Sequence, residues 1–137
     1  MIVEQEGITI NEIFDKCGEE YLRKTECEVI KKAAEMKNVV IATGGGVVLN
    51  EQNIENLRKT GVIFNLSPDF SVIRERLEEA RKTRPLLKRD SIENIKKRFD
   101  DRKPFYDNCD YKIKVIHGRT PRSYAMEILE IMESSQG

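Results

Sequence analysis

Val39-Val40-Ile41-Ala42-Thr43-Gly44-Gly45-Gly46 joins an unbroken apolar run to three glycines in a row. A continuous apolar run is what a strand buried on both faces of a parallel sheet requires. Glycines at its end allow backbone N–H groups to come close to a ligand, in the place where open α/β sheets bind one. A tight strand-to-helix turn would ask for about one glycine rather than three. Downstream, Asn50 is placed to cap a helix through Ile54 and Leu57 that stops at Gly61, and Val62–Leu66 reads as the next strand. Together these form a β-α-β unit.

Working outward, Thr9-Ile10-Asn11-Glu12 is a capping box, with Ile8 and Ile13 as its hydrophobic staple, opening a short helix that Gly18 ends. A second helix is expected from Glu19 to Met36, with Leu22, Cys27, Ile30, Ala33 and Ala34 on one side. Ser67-Pro68 reads as a cap followed by proline at the first helical position, and Phe70, Ile73 and Leu77 follow as a helical stripe. Residues Arg81 to Asp90 lack periodicity and contain Pro85, which predicts a mobile loop at about 80–91. Ser91 caps a further helix carrying Ile92, Ile95 and Phe99, which Pro104 bends or ends. Tyr111–Ile116 alternates like a strand, and Thr120-Pro121 opens a last helix with Ala125, Ile128, Leu129 and Met132 inward. Strands alternating with helices imply an α/β fold with a parallel sheet and flanking helices. Three visible strands are few for such a sheet, so it reads as incomplete, with unpaired edges open to self-association.

The 137 residues suffice for one core, and with 39% hydrophobic residues and 35% charged the chain reads as a single globular domain. There is no long apolar segment and no basic, apolar start, so a cytoplasmic location and no membrane partner are expected. Cys17, Cys27 and Cys109 show no C-x-x-C spacing and are odd in number, which argues against a disulfide framework or a structural zinc site. The 24 basic and 24 acidic residues balance overall but not locally. Residues 1–30 hold eight acidic and three basic side chains, whereas Arg81 to Lys103 hold ten basic and four acidic. The basic segment suits either an anion site or a solvated helix face. Nucleic acid is disfavoured by the zero net charge and by the few aromatics near that segment, Phe99, Phe105 and Tyr106.

Four segments in register, Gly18-Glu-Glu-Tyr-Leu-Arg23-Lys-Thr-Glu26, Val40-Ile-Ala-Thr-Gly-Gly-Gly46, Arg84-Pro85-Leu86 and Arg102-Lys-Pro-Phe-Tyr106, resemble the shikimate kinase family over nearly the whole chain. The resemblance implies a P-loop NTPase fold of the nucleoside monophosphate kinase type with five parallel strands. It also implies transfer of the γ-phosphate of ATP, with Mg²⁺, to the 3-hydroxyl of shikimate, by a family that is usually monomeric. No Gly-x-x-x-x-Gly-Lys-Ser/Thr phosphate loop occurs in the sequence. That loop supplies the N–H cradle for nucleotide phosphates, the lysine that neutralises them and the hydroxyl that holds magnesium. Against the family pattern the chain is therefore expected to be N-terminally truncated, without the P-loop, the first two strands and an Asp-x-Asp segment. The ligands for ATP and Mg²⁺ would be largely missing, and kinase activity impaired or lost in the chain alone. The alternative expectation is a non-catalytic shikimate-binding remnant, or a fragment that needs the missing segment.

The resemblance assigns roles residue by residue. Arg23 would clamp the shikimate carboxylate with Glu26 holding it in place, although its spacing from Glu26 also fits an ordinary i,i+3 surface pair. Gly45 would contact shikimate, with Gly44 and Gly46 shaping the approach. Arg102 would be a second carboxylate clamp, or else a cap for carbonyls at a helix end. Arg84, in the lid, would act catalytically on the transferring phosphate and contact the nucleotide, or simply be a solvated loop cation. Arg81 would help stack the adenine, and Arg119 with Pro121 falls where the family's adenine-contacting loop lies. No metal ligand is assigned, and His117, the only histidine, is expected to be structural.

Overall fold

The computed structural model describes residues 1–83 and 91–136. Its contacts divide the chain into two compact units, Met1–Ile63 and the residues from Phe64 onward.

The first unit is helical. α1 (Ile2–Glu6), which sequence reasoning missed, is closed by Gly7 in the left-handed conformation at φ 73°. α2 spans Ile10–Ala34 and is broken at Gly18, whose φ of 85° and ψ of 170° are not helical. Gly18 therefore separates two helices, as its sequence position suggests. Thr9 caps the first, accepting from the Glu12 N–H at 3.2 Å and donating its hydroxyl to the Glu12 carboxylate at 3.1 Å. α1 is tied to α2 by the Tyr21 hydroxyl, which donates to Glu6 at 2.8 Å. This bond to a carboxylate raises the Tyr21 pKa above the ordinary phenol value.

A 3₁₀ turn at Val47–Leu49 leads into α3 (Glu51–Thr60), which packs on α2. Asn50 caps α3 through Oδ1, which accepts from the Gln52 N–H at 2.9 Å. The Thr60 hydroxyl closes the far end by donating to the Ala34 carbonyl at 2.6 Å, one of the last carbonyls of α2 that lack a helical partner. Leu22, Val29, Ile30, Ala33 and Ala34 are buried, together with Val47 and Ile54, while Cys27 stays half-buried.

The second unit holds the only sheet among the described residues. β1 (Phe64–Pro68) pairs in parallel with β2 (Tyr111–Val115), Phe64 opposite Tyr111 and Pro68 opposite Val115. The paired rings of Phe64 and Tyr111 stack at 5.3 Å. Between the strands run α4 (Phe70–Thr83) and α5 (Ile92–Tyr106), joined by a Phe70–Phe99 ring contact at 5.8 Å. Ser91 caps α5 through its hydroxyl, which accepts from the Asn94 N–H at 3.1 Å, and Pro104 lies inside the helix rather than ending it. α6 (Pro121–Gln136) follows β2. Tyr124 of α6 both accepts from the Ile116 N–H and donates to the Ile116 carbonyl, each at 3.0 Å, pinning the helix to the end of β2. The core is Val72, Ile113, Val115 and Tyr124, with Phe64, Ile128 and Ile131 packed on it.

Three sequence expectations need correction. Val39–Ala42 is not a strand, and the described residues contain two strands rather than three. Apolar character qualifies a segment for a strand, but a strand exists only through its hydrogen-bond ladder. None of the described residues supplies a neighbour, and Val40 is 99% exposed. Next, the strand expected at Val62–Leu66 lies two residues later. Ser67 and Pro68 consequently end a strand rather than start a helix, which proline tolerates at a position that needs no N–H. Finally, α6 turns Tyr124 inward while Ala125 and Leu129 are exposed, because Tyr124 has both an apolar cavity and two backbone partners to fill.

The packing of the second unit can be tested at two places. Ile113 is 2% exposed at the centre of its core, so Ile113→Ala lowers stability by about 2–4 kcal/mol in urea unfolding. The other place is the Asp107–Lys112 ion pair at 2.5 Å, which joins the end of α5 to β2. Lys112 lowers the Asp107 pKa, chiefly through its hydrogen bond, and Asp107 raises that of Lys112 in the same way. The pair's contribution is therefore present above the ordinary carboxylate range and lost as pH falls through the depressed Asp107 value. At the other end it persists below the ordinary lysine range and is lost as pH rises through the raised Lys112 value. Asp107→Asn lowers the melting temperature slightly at neutral pH, and the difference from the parent vanishes in acid.

Candidate functional site

The first unit assembles its site around Arg23. α2 places Arg23 and Glu26 three residues apart, so both side chains lie over one face of the helix. Arg23 Nη1 donates to Glu26 Oε2 at 2.7 Å, and Arg23 Nε lies 3.8 Å from Glu19 Oε1. The two partners differ in environment. The Glu26 side chain is 11% exposed and that of Arg23 39%. A carboxylate this far from water is costly to bury unpaired, so the pair anchors the guanidinium at Nη1 while the arginine side chain as a whole keeps partial contact with solvent.

The glycine loop comes down onto this pair. A Cβ built on Gly46 would fall 2.6 Å from Arg23 Cζ and 2.7 Å from Nη2, so the guanidinium lies against Gly46 itself. Gly44 has open space in that direction, and both Gly44 and Gly45 are exposed. Gly46 is thus an expected site glycine that the structure joins to Arg23. The loop is held by an element that sequence reasoning missed: Asn53 of α3 is 2% exposed and donates its amide to the Val47 carbonyl at 3.0 Å. Its role follows from its burial, since a buried asparagine amide has to find a backbone partner, and burial is not visible in the sequence. Asn50 adds a second tie by donating to Cys27 Sγ at 3.0 Å.

In the second unit, Arg102 is half-buried on α5, and no hydrogen bond or ion pair joins it to another described residue. Arg81 is half-buried in the last turn of α4. Arg119 is fixed on several sides. It donates from Nε to the Ser123 hydroxyl at 3.1 Å, from Nη2 to the Ser123 carbonyl at 3.1 Å and from Nη1 to Glu127 at 3.2 Å. Its guanidinium also sits 4.3 Å over the Tyr124 ring. Across a cleft of about 310 Å³, Arg119, Ile116 and His117 face Glu75, Arg76 and Glu79 of α4. His117 pairs with Glu75 at 2.9 Å, both side chains being largely exposed. Arg84 and most of the expected lid lie outside the described residues.

A family model for shikimate kinase matches residues 1–133. The chain is 42% identical over 131 residues to a shikimate kinase of Caldicellulosiruptor bescii, covering 95% of this chain and 75% of that protein. It is 38% identical over 134 residues to one of Aquifex aeolicus, covering 98% of this chain and 77% of that one. Among solved structures, the shikimate kinase of Acinetobacter baumannii in complex with shikimate aligns with a TM-score of 0.83 at 31% identity, over 98% of this chain and 75% of that one. The Aquifex aeolicus crystal structure aligns at 0.80 and 32%, over 98% and 77%. The parallel strands and flanking helices described above belong to the P-loop, nucleoside monophosphate kinase-like fold of these structures. With the match running through both units at this identity, the chain is a member of the shikimate kinase family.

Proposed function

We propose that this chain binds shikimate and carries the acceptor side of the ATP-dependent phosphorylation of the shikimate 3-hydroxyl. The observation that supports it most is the anchored, half-open Arg23. Nη1 is committed to Glu26 and Nε lies 3.8 Å from Glu19, while the side chain as a whole stays 39% exposed, so its planar fork remains accessible to a carboxylate. Glu26 fixes the direction of that fork through Nη1. Gly45 offers an exposed backbone at the same loop for contact with the ligand, with Gly44 beside it. Arg102, without an ion pair among the described residues, is the second carboxylate clamp in this reading. Arg84 is assigned to the transferring phosphate, and Arg81 and Arg119 to the nucleotide side, Arg119 as a rigid wall of the cleft beside His117. The reading places the enzyme in the cytoplasm, monomeric as its family usually is unless unpaired strand edges lead it to self-associate; no described helix is long and apolar enough to cross a membrane.

The residues in hand do not fit ATP·Mg²⁺ as a whole. The sequence holds no phosphate loop, which would supply the N–H cradle for the nucleotide phosphates, the lysine and the hydroxyl for magnesium. These side chains therefore do not by themselves account for phosphoryl transfer. What they do is bind the acceptor, orient it by its carboxylate and set where its hydroxyl points.

Calorimetry with shikimate tests the acceptor site. Arg23→Ala and Arg102→Ala each weaken binding by about tenfold to a hundredfold, the range for a charge-assisted hydrogen-bonded pair. Glu26→Gln, which keeps the shape but removes the anchoring charge, weakens it by roughly fivefold. Unchanged affinity in the two arginine variants would sink the assignment. In a coupled assay the purified 137-residue chain turns over ATP at background. Turnover above background that Arg102→Ala abolishes would overturn the inference from the missing phosphate loop.

A further inference from the structure

Glycine at position 46 is not explained by its backbone. Its φ of −86° and ψ of −10° lie in the right-handed helical region open to every residue, so no conformational demand excludes a side chain there. Space does exclude one. A Cβ at this position would overlap the guanidinium of Arg23, with Cζ at 2.6 Å and Nη2 at 2.7 Å, whereas one at Gly44 would meet nothing within 4 Å. The guanidinium cannot retreat without cost, because Nη1 is held at 2.7 Å by Glu26, whose carboxylate is largely buried. Gly46 cannot retreat either. It immediately precedes the 3₁₀ turn, in which Val47 is 3% exposed and its carbonyl is bonded to the buried Asn53 amide.

We propose that Gly46 is a positioning residue: the side chain it lacks is the seat for the Arg23 guanidinium, and that seat sets the orientation in which the fork is presented. Glu26 holds Nη1, and the absence of a Cβ at Gly46 leaves room for the rest of the group. The inference rests on the shikimate-binding reading for its purpose, but the seat itself is a property of the unliganded chain. Because the overlapping atoms are the far end of a flexible side chain, Gly46→Ala displaces Arg23 rather than unfolding the loop. At these dihedrals the substitution is otherwise neutral or mildly stabilising.

The test has two readouts. In ¹⁵N–¹H spectra of the full chain, the Arg23 Nε–H signal, assigned by its loss in Arg23→Ala, is expected at a distinct, protected position in the parent. In Gly46→Ala it collapses to the solvent-averaged position of free arginines, while urea unfolding midpoints stay level. An Arg23 signal unmoved by Gly46→Ala would overturn the proposal whatever the ligand binding shows. The second readout is a double-mutant cycle in shikimate affinity. Gly46→Ala costs about tenfold alone but less than about twofold in an Arg23→Ala background, and an intermediate amount with Arg23→Lys, whose slender ammonium leaves more room. Full, additive loss in the Arg23→Ala background would mean that Gly46 acts on the ligand directly, and would also overturn it. Failure of every variant and the parent to bind shikimate would reject the functional reading alone, with the spectra still deciding the seat.

Discussion

The contact on which the proposed acceptor site depends is the ion pair between Arg23 and Glu26. Burial makes it demanding. With its side chain 11% exposed, Glu26 would leave an uncompensated carboxylate in a largely water-excluded place if Arg23 were removed. The helical spacing of α2 supplies that cation, and the position of the cation then constrains the loop above it, where no side chain fits at Gly46. The loop in turn is fixed from below, by Val47 packed into the core and by Asn53 bonded to its carbonyl. Loss of charge at Glu26, of the fork at Arg23 or of space at Gly46 disturbs the same guanidinium by three different routes.

Arg119 shows the same device in the second unit with different parts. There three hydrogen bonds and the face of Tyr124 hold the guanidinium, and Tyr124 is itself locked to both backbone groups of Ile116. An arginine held on several sides loses little rotamer entropy when a ligand arrives, so each unit presents a cation that is already ordered. Arg102 contrasts with both, having no ion pair among the described residues.

Much of this was legible in the sequence, and what was legible was local. Thr9, Asn50 and Ser91 cap as their positions suggest, because an N-cap needs only its own side chain and the next turn. Gly18 and Gly61 end helices for equally local reasons. The pairing of Arg23 with Glu26 was readable from helical spacing, but the burial that makes it more than a surface pair was not. Misreadings arose where a partner elsewhere in the chain decides the outcome. Val39–Ala42 has the composition of a strand and no described neighbour to pair with. Tyr124 turns inward in place of Leu129 because of the Ile116 backbone, eight residues away. Gly46 lay in plain view as one of three glycines, yet its reason is the guanidinium of Arg23, which no local pattern reveals.

Recognition of the shikimate carboxylate by the fixed fork of Arg23 is the step on which the acceptor site stands or falls. Calorimetric affinities for shikimate and for its methyl ester, which keeps the ring and hydroxyls but removes the anionic charge, probe that step without touching the rest of the ligand. In the parent chain the ester should bind about tenfold or more weaker, and in Arg23→Ala that discrimination should largely disappear. Equal affinity of the parent chain for acid and ester would contradict recognition through Arg23.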